Sequence, residues 1–211
     1  MQSRQAHERM DEIRRIMERT TLYTLLPGVP SLVGGVAVLI GCVVSYTMIG
    51  SVDVYAMLEQ PLAMQVGFCV LWTAIGLGCV AYEVIWTTRT AHRRGVEPVG
   101  RPGKFAALSL SPSLLVAVAI TLRILLVDYQ HALHFIAPVW MMCYGTGVYA
   151  AGLFSVRLPR LLGLAFVAMG VVGLFLFPFA ALAMVALSFG LLHLAFGLAI
   201  VLTKEPEPDD G

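Results

Sequence analysis

Six apolar runs, each near the length that crosses a bilayer, restrict what this chain can become more than any other feature. They fall at about 30–50, 62–86, 105–127, 134–155, 159–177 and 179–203. At 1.5 Å per residue, about 20 residues cover the roughly 30 Å hydrocarbon core of a membrane. Inside that core no water satisfies the backbone, so a crossing run must be a helix or a strand of a closed barrel. The runs are continuously apolar with no period-two alternation, which excludes the barrel. The expected fold is all-α: a polytopic six-helix transmembrane bundle over 30–203, preceded by a cytoplasmic amphipathic helix over 1–26 and followed by a short tail at 204–211.

Composition agrees. The 211 residues are 58% hydrophobic and only 13% charged, against roughly 45–50% and about 25% in soluble domains. Six crossings with short loops leave no length for a second domain. The four cysteines, Cys42, Cys69, Cys79 and Cys143, all lie inside apolar runs and read as small core residues. The charged segment ahead of the first run does not read as a cleavable signal, so that run is expected to direct its own insertion.

Lysine and arginine set the expected orientation. Arg4, Arg9, Arg14, Arg15 and Arg19 precede the first run; Arg89, Arg93, Arg94, Arg101 and Lys104 follow the second. Arg157 and Arg160 follow the fourth and Lys204 the sixth, leaving only Arg123 elsewhere. The positive-inside rule then places both termini in the cytoplasm, in agreement with an even number of crossings. Gly163, Gly170 and Gly173 share one side of the fifth run, and Gly190 and Gly197 one side of the sixth. A tight hairpin of these two helices along their small-residue stripes is expected.

The first segment places Ala6, Met10, Ile13 and Met17 on one helical seam, with i, i+4 pairs such as Arg4/Glu8 and Asp11/Arg15, until Pro27 and Pro30 stop the pattern. The seam suits a helix lying on the lipid bilayer, packing against a second copy or a protein partner through those four residues, or closing a pore from below.

Four polar residues stand out at depth: Glu83, Arg123, Tyr144 and His193. Ionisable groups in a span mark functional sites unless a partner or water satisfies them. Glu83 is expected near the cytoplasmic interface, paired with Arg157 or Arg160. Arg123 is expected near the outer one, anchored by Asp128 or a lipid phosphate. His193, within SFGLLHLAFGL, shares a helical face with Gly190 and Gly197, so it should point into the bundle and bond a tyrosine, a threonine or a carbonyl. Proton handling is the alternative for it. Haem ligation would require a second histidine at matching depth. The outer connection DYQHALH offers Asp128, His131 and His134 as a candidate ion site that lacks a fourth ligand, and ordinary interfacial hydrogen bonds are the preferred reading. No P-loop, GxSxG, HExxH or nucleic-acid motif is present, so no catalytic residue, metal, cofactor or direct nucleic-acid contact is expected.

Three segments, EIRRIMERTTLYTLLPG, APVWMMCYGTGVYAAGLFSVR and FGLLHLAFGL, are similar to an uncharacterised bacterial family of six-helix membrane proteins. The resemblance runs nearly end to end and takes in Glu18, Arg19, Trp140, Tyr144, Gly145, Gly190, His193 and Gly197. It implies no activity. It implies frequent company with small winged-helix transcriptional regulators, and so a regulatory or accessory role. The expected function is a non-enzymatic multi-pass protein of the bacterial inner membrane, acting as a sensor, regulatory partner or assembly factor. A proton, ion or small-solute transporter is the alternative, followed by an intramembrane enzyme or haem protein.

Overall fold

A computed structural model describes residues 28–93, 101–153 and 157–203. Among them the chain is helical throughout, with no strand. The amphipathic helix expected over 1–26 and the tail at 204–211 lie outside the described residues.

Helix α1 spans Gly28–Ile49, and a 3-10 turn over Val54–Glu59 leads into α2, Leu62–Arg93. Helix α3 is Arg101–Val127, α4 the single turn Tyr129–Ala132, and α5 is Ile136–Gly152 after a 3-10 turn at Leu133–Phe135. Then follow α6, Arg157–Phe175, and α7, Ala181–Thr203, whose middle, Ala186–Leu192, is π-helical. Five of these (α1, α2, α3, α6 and α7) are long and apolar enough to cross a membrane, as in a multi-pass membrane protein. Helix α5, the fourth apolar run, has 17 residues, at the short limit for a crossing of about 17–25.

Local sequence explains the ends. Pro30 and Pro159 fall in the first turns of α1 and α6, where a missing N–H costs no helical bond. Helix α1 stops where Gly50 turns to φ +68, a left-handed conformation that glycine adopts without a Cβ clash. Asp53 then caps the 3-10 turn by accepting from the Tyr55 amide at 2.9 Å. The second helix continues through Arg93, seven residues past the expected end, because nothing in TTRTAHR breaks it.

Helices α5 and α6 form the most extensive pair; α3 lies on α5, α7 on α1, and α2 chiefly on α1. The expected glycine hairpin between the fifth and sixth helices is not what forms. A Cβ on Gly163 would lie 2.5 Å from the Tyr149 amide nitrogen and 2.6 Å from the Gly145 carbonyl, so α6 rests its backbone on α5. A Cβ on Gly197 would lie 2.7 Å from the Gly28 carbonyl, and one on Gly190 2.6 Å from Leu39, so α7 turns its stripe to α1. Small-residue surfaces pair where both partners let the backbones close. Gly145 supplies that on α5, and Gly28 and Gly35 on α1, whereas α6 and α7 touch only sparsely.

Because Gly28 meets Ile200, the start of α1 and the end of α7 lie at the same end of the bundle. The main core joins Met141, Val148, Leu162, Phe166, Phe196 and Ile200, and a smaller cluster of Ile49, Met57 and Leu182 closes the opposite end. Cys42 is buried, its thiol 3.6 Å from the Leu182 carbonyl. Cys69 departs from expectation: it is exposed, on a side of α2 that no described helix covers.

Candidate functional site

The fourth apolar run brings Tyr144 to the centre of the molecule. Gly145, the next residue, meets α6 backbone to backbone, which holds α5 at short range. The Tyr144 ring thereby lies 4.9 Å from that of Phe166, edge to face. Across from it, α7 presents Phe189 and His193. Phe189 is stacked on the imidazole at 6.0 Å and Phe166 stands edge-on to it at 5.1 Å. Offset and edge-to-face rings at these separations are the favourable aromatic geometries.

Inside this cage the Tyr144 hydroxyl and His193 Nε2 are 2.9 Å apart and share one hydrogen bond. Nδ1 is buried and has no partner among the described residues. Whichever tautomer the ring adopts, one of its nitrogens stays unbonded by the described residues. The histidine directly follows the π-helical segment Ala186–Leu192. A π turn carries an extra residue in the helical ladder and occurs mostly at functional sites. Within it Ser188, fully buried, returns its hydroxyl to the Met184 carbonyl at 2.7 Å.

Glu83 forms no ion pair with Arg157, Arg160 or any other described residue, contrary to the expected pairing. Arg160 is drawn instead against Gly152, its Nε buried and bonded by none of the described residues. The Glu83 side chain is accessible. Of the four polar residues expected at depth, the structure joins Tyr144 and His193, while Cys79, one turn before Glu83, lies against Gly34 of α1. Arg123 is exposed and far from this group in sequence, near the opposite end of its own helix.

Nor does Arg123 pair with Asp128. That carboxylate turns into the α4 turn, where it faces His131 at 3.2 Å with both side chains largely exposed. His134 points elsewhere and shares a 2.8 Å bond with the Tyr55 hydroxyl. Asp128, His131 and His134 are thus not brought together, and no group of three metal-binding side chains occurs among the described residues. Burial pushes the Tyr55 phenol above its usual range near 10. The charges of Asp53 and Asp128 add to that, and the Leu133 and His134 backbone bonds oppose it.

Sequence patterns pass over several of these contacts. Tyr55 sits in a loop with no motif around it. Trp72 donates to Ser45 at 3.1 Å and Trp140 to Thr121 at 2.8 Å, joining α2 to α1 and α5 to α3. The indole and hydroxyl residues were visible as polar atoms in apolar runs, but their pairing depends on the neighbour each helix finds.

The fold and the site define an all-helical membrane-type bundle with a tyrosine and histidine bonded inside an aromatic cage. No protein family, curated protein or solved structure matches the chain.

Proposed function

We propose that this chain is a six-span protein of the bacterial cytoplasmic membrane with both termini inside, and that it is a sensory or accessory protein rather than an enzyme. The observation that carries this reading is the π-helical turn of α7 placed directly before His193. A π turn lies one residue of register from an ordinary α-helix. Relaxing it would rotate His193 away from Tyr144 and shift the face that α7 offers to α1. An element with two close arrangements is the physical basis of signalling between separated sites. The seam of Ala6, Met10, Ile13 and Met17 is the output surface, and a winged-helix regulator is the proposed partner.

The test is recovery of that regulator with the tagged chain from native membranes. Deletion of residues 1–20 abolishes recovery while the bundle stays inserted, and undiminished recovery overturns the reading.

A second reading, proton or solute transport, is favoured by the buried Nδ1 of His193, which no described residue bonds. It requires dye-reported proton flux in proteoliposomes that disappears in His193→Ala and in Glu83→Gln. Absence of flux through inserted wild-type protein removes it.

A further inference from the structure

Helix α2 is 32 residues long, about 48 Å at 1.5 Å per residue. It therefore exceeds a hydrocarbon core of roughly 30 Å by about 12 residues. With Leu62 at one boundary, the other falls near Tyr82, and Trp86, Arg89 and Arg93 extend into the headgroup layer. Tyrosine and tryptophan at the boundary followed by arginine is the order in which these side chains suit an interface.

Two depressions meet at Tyr82. One, of about 460 Å³, is an apolar groove between α1 and α2 running from Leu71 past Val33 and Gly78 to Tyr82. The other, of about 170 Å³, continues along α2 from Tyr82 by Trp86 to Arg89, Thr90 and Arg93. The groove stays open at Gly78: α2 meets α1 closely at Trp72 and Ile75, while Gly78 has nothing within 4 Å of where its Cβ would be. This sets Gly78 apart from Gly163 and Gly197, whose missing side chains are filled by a neighbouring backbone. Leu71 to Tyr82 covers about 16 Å, about the depth of one leaflet of the core. Arg89 and Arg93 are exposed and neither forms an ion pair or hydrogen bond with a described residue.

The geometry points to a binding site for one anionic phospholipid. Its acyl chain lies in the α1/α2 groove, and its phosphate rests on Arg89 and Arg93 beside Tyr82 and Trp86. Charge complementarity selects the occupant: the apolar groove leads at Tyr82 to two exposed arginines, the order of acyl chain and phosphate in one anionic lipid. A zwitterionic lipid would bring its own ammonium group to them. A guanidinium makes paired, charge-assisted bonds to phosphate oxygens, and each basic residue at a membrane surface is worth about a fivefold gain in anionic lipid binding.

The full chain, delipidated in detergent, is titrated with dioleoyl phosphatidylglycerol or dioleoyl phosphatidylcholine and read by native mass spectrometry. One phosphatidylglycerol is retained, bound roughly 25-fold more tightly than by Arg89→Gln/Arg93→Gln and at least about fivefold more tightly than phosphatidylcholine. Arg89→Lys/Arg93→Lys keeps most of the preference. Gly78→Leu, which fills the groove without touching the arginines, weakens retention of both lipids. Glycerophosphoglycerol, the headgroup without chains, fails to compete. Equal retention of the two lipids, unchanged retention in Gly78→Leu, or full competition by the chainless headgroup overturns the proposal. If the glutamine variant unfolds, as read by its melting temperature, the Gly78→Leu and competition arms decide alone.

Discussion

At the scale of single residues, the bond between Tyr144 and His193 is the feature with most at stake. A polar pair inside a membrane bundle contributes little net energy, about 0.6 kcal/mol on average and up to about 1.7, but it selects one rotational setting of α7. Tyr144→Phe keeps the ring that packs on Phe166 and removes only the hydroxyl, leaving a second imidazole nitrogen unbonded. It should lower stability by about 1 kcal/mol. In a double-mutant cycle with His193→Ala the coupling should fall between about 0.5 and 2 kcal/mol, measured by thermal unfolding in micelles. A coupling near zero would show that the two side chains are merely adjacent. Spacing in SFGLLHLAFGL put His193 on the face of Gly190 and Gly197, but those glycines meet α1 while the histidine meets Tyr144 on α5. Its partner was not readable, because Tyr144 lies 49 positions away and several tyrosines had equal claim.

Among the elements, the two glycine stripes show how far a helical pattern can be read. Spacing identifies which side of α6 and α7 allows close approach, and both sides are indeed used. It does not identify the partner, and here each helix chose a different one. Gly163→Ala should cost about 1–3 kcal/mol, because the added methyl meets the Tyr149 backbone and the Gly145 carbonyl rather than a movable side chain. Gly76→Ala is the control. It meets nothing within 4 Å, and alanine's better helix propensity should leave stability equal or slightly higher. The ranking of the two melting temperatures checks the assignment, and equal losses would contradict it. The π-helical turn is an element-scale feature with no sequence signature at all: ALSFGLL is compatible with an ordinary α-helix. Across the turn α7 presents Gly190 to Leu39 on α1 and His193 to Tyr144 on α5.

For the whole molecule, the ends of the described chain meet where Gly28 touches Ile200, which an even number of crossings requires. The full threading is tested by alkaline phosphatase fusions, active only when exported. Fusions after residues 53 and 130 should be active, and those after 97, 155 and 211 inactive. Activity after residue 155 would mean that α5, at 17 residues, does not cross, and the count of spans would change. The broad exposure of α2 is also a property of the whole: outside its contact with α1 it offers apolar side chains such as Leu77, Val80 and Val84. In a bilayer these face lipid without penalty, which is why so thin an attachment suffices.

Hydropathy and period by themselves determined that this protein is built of long apolar helices. The cause is local: a backbone in hydrocarbon must bond to itself, and each run does so independently of the others. The small-residue stripes of α6 and α7 likewise follow from residues a few positions apart. Which helices touch, which polar groups meet, and the existence of the α1/α2 groove were decided only in the tertiary structure. Within lipid no hydrophobic force separates one helix neighbour from another. The choice falls to close backbone contact and single hydrogen bonds between residues far apart in the chain, and no window of sequence contains both halves of such a contact.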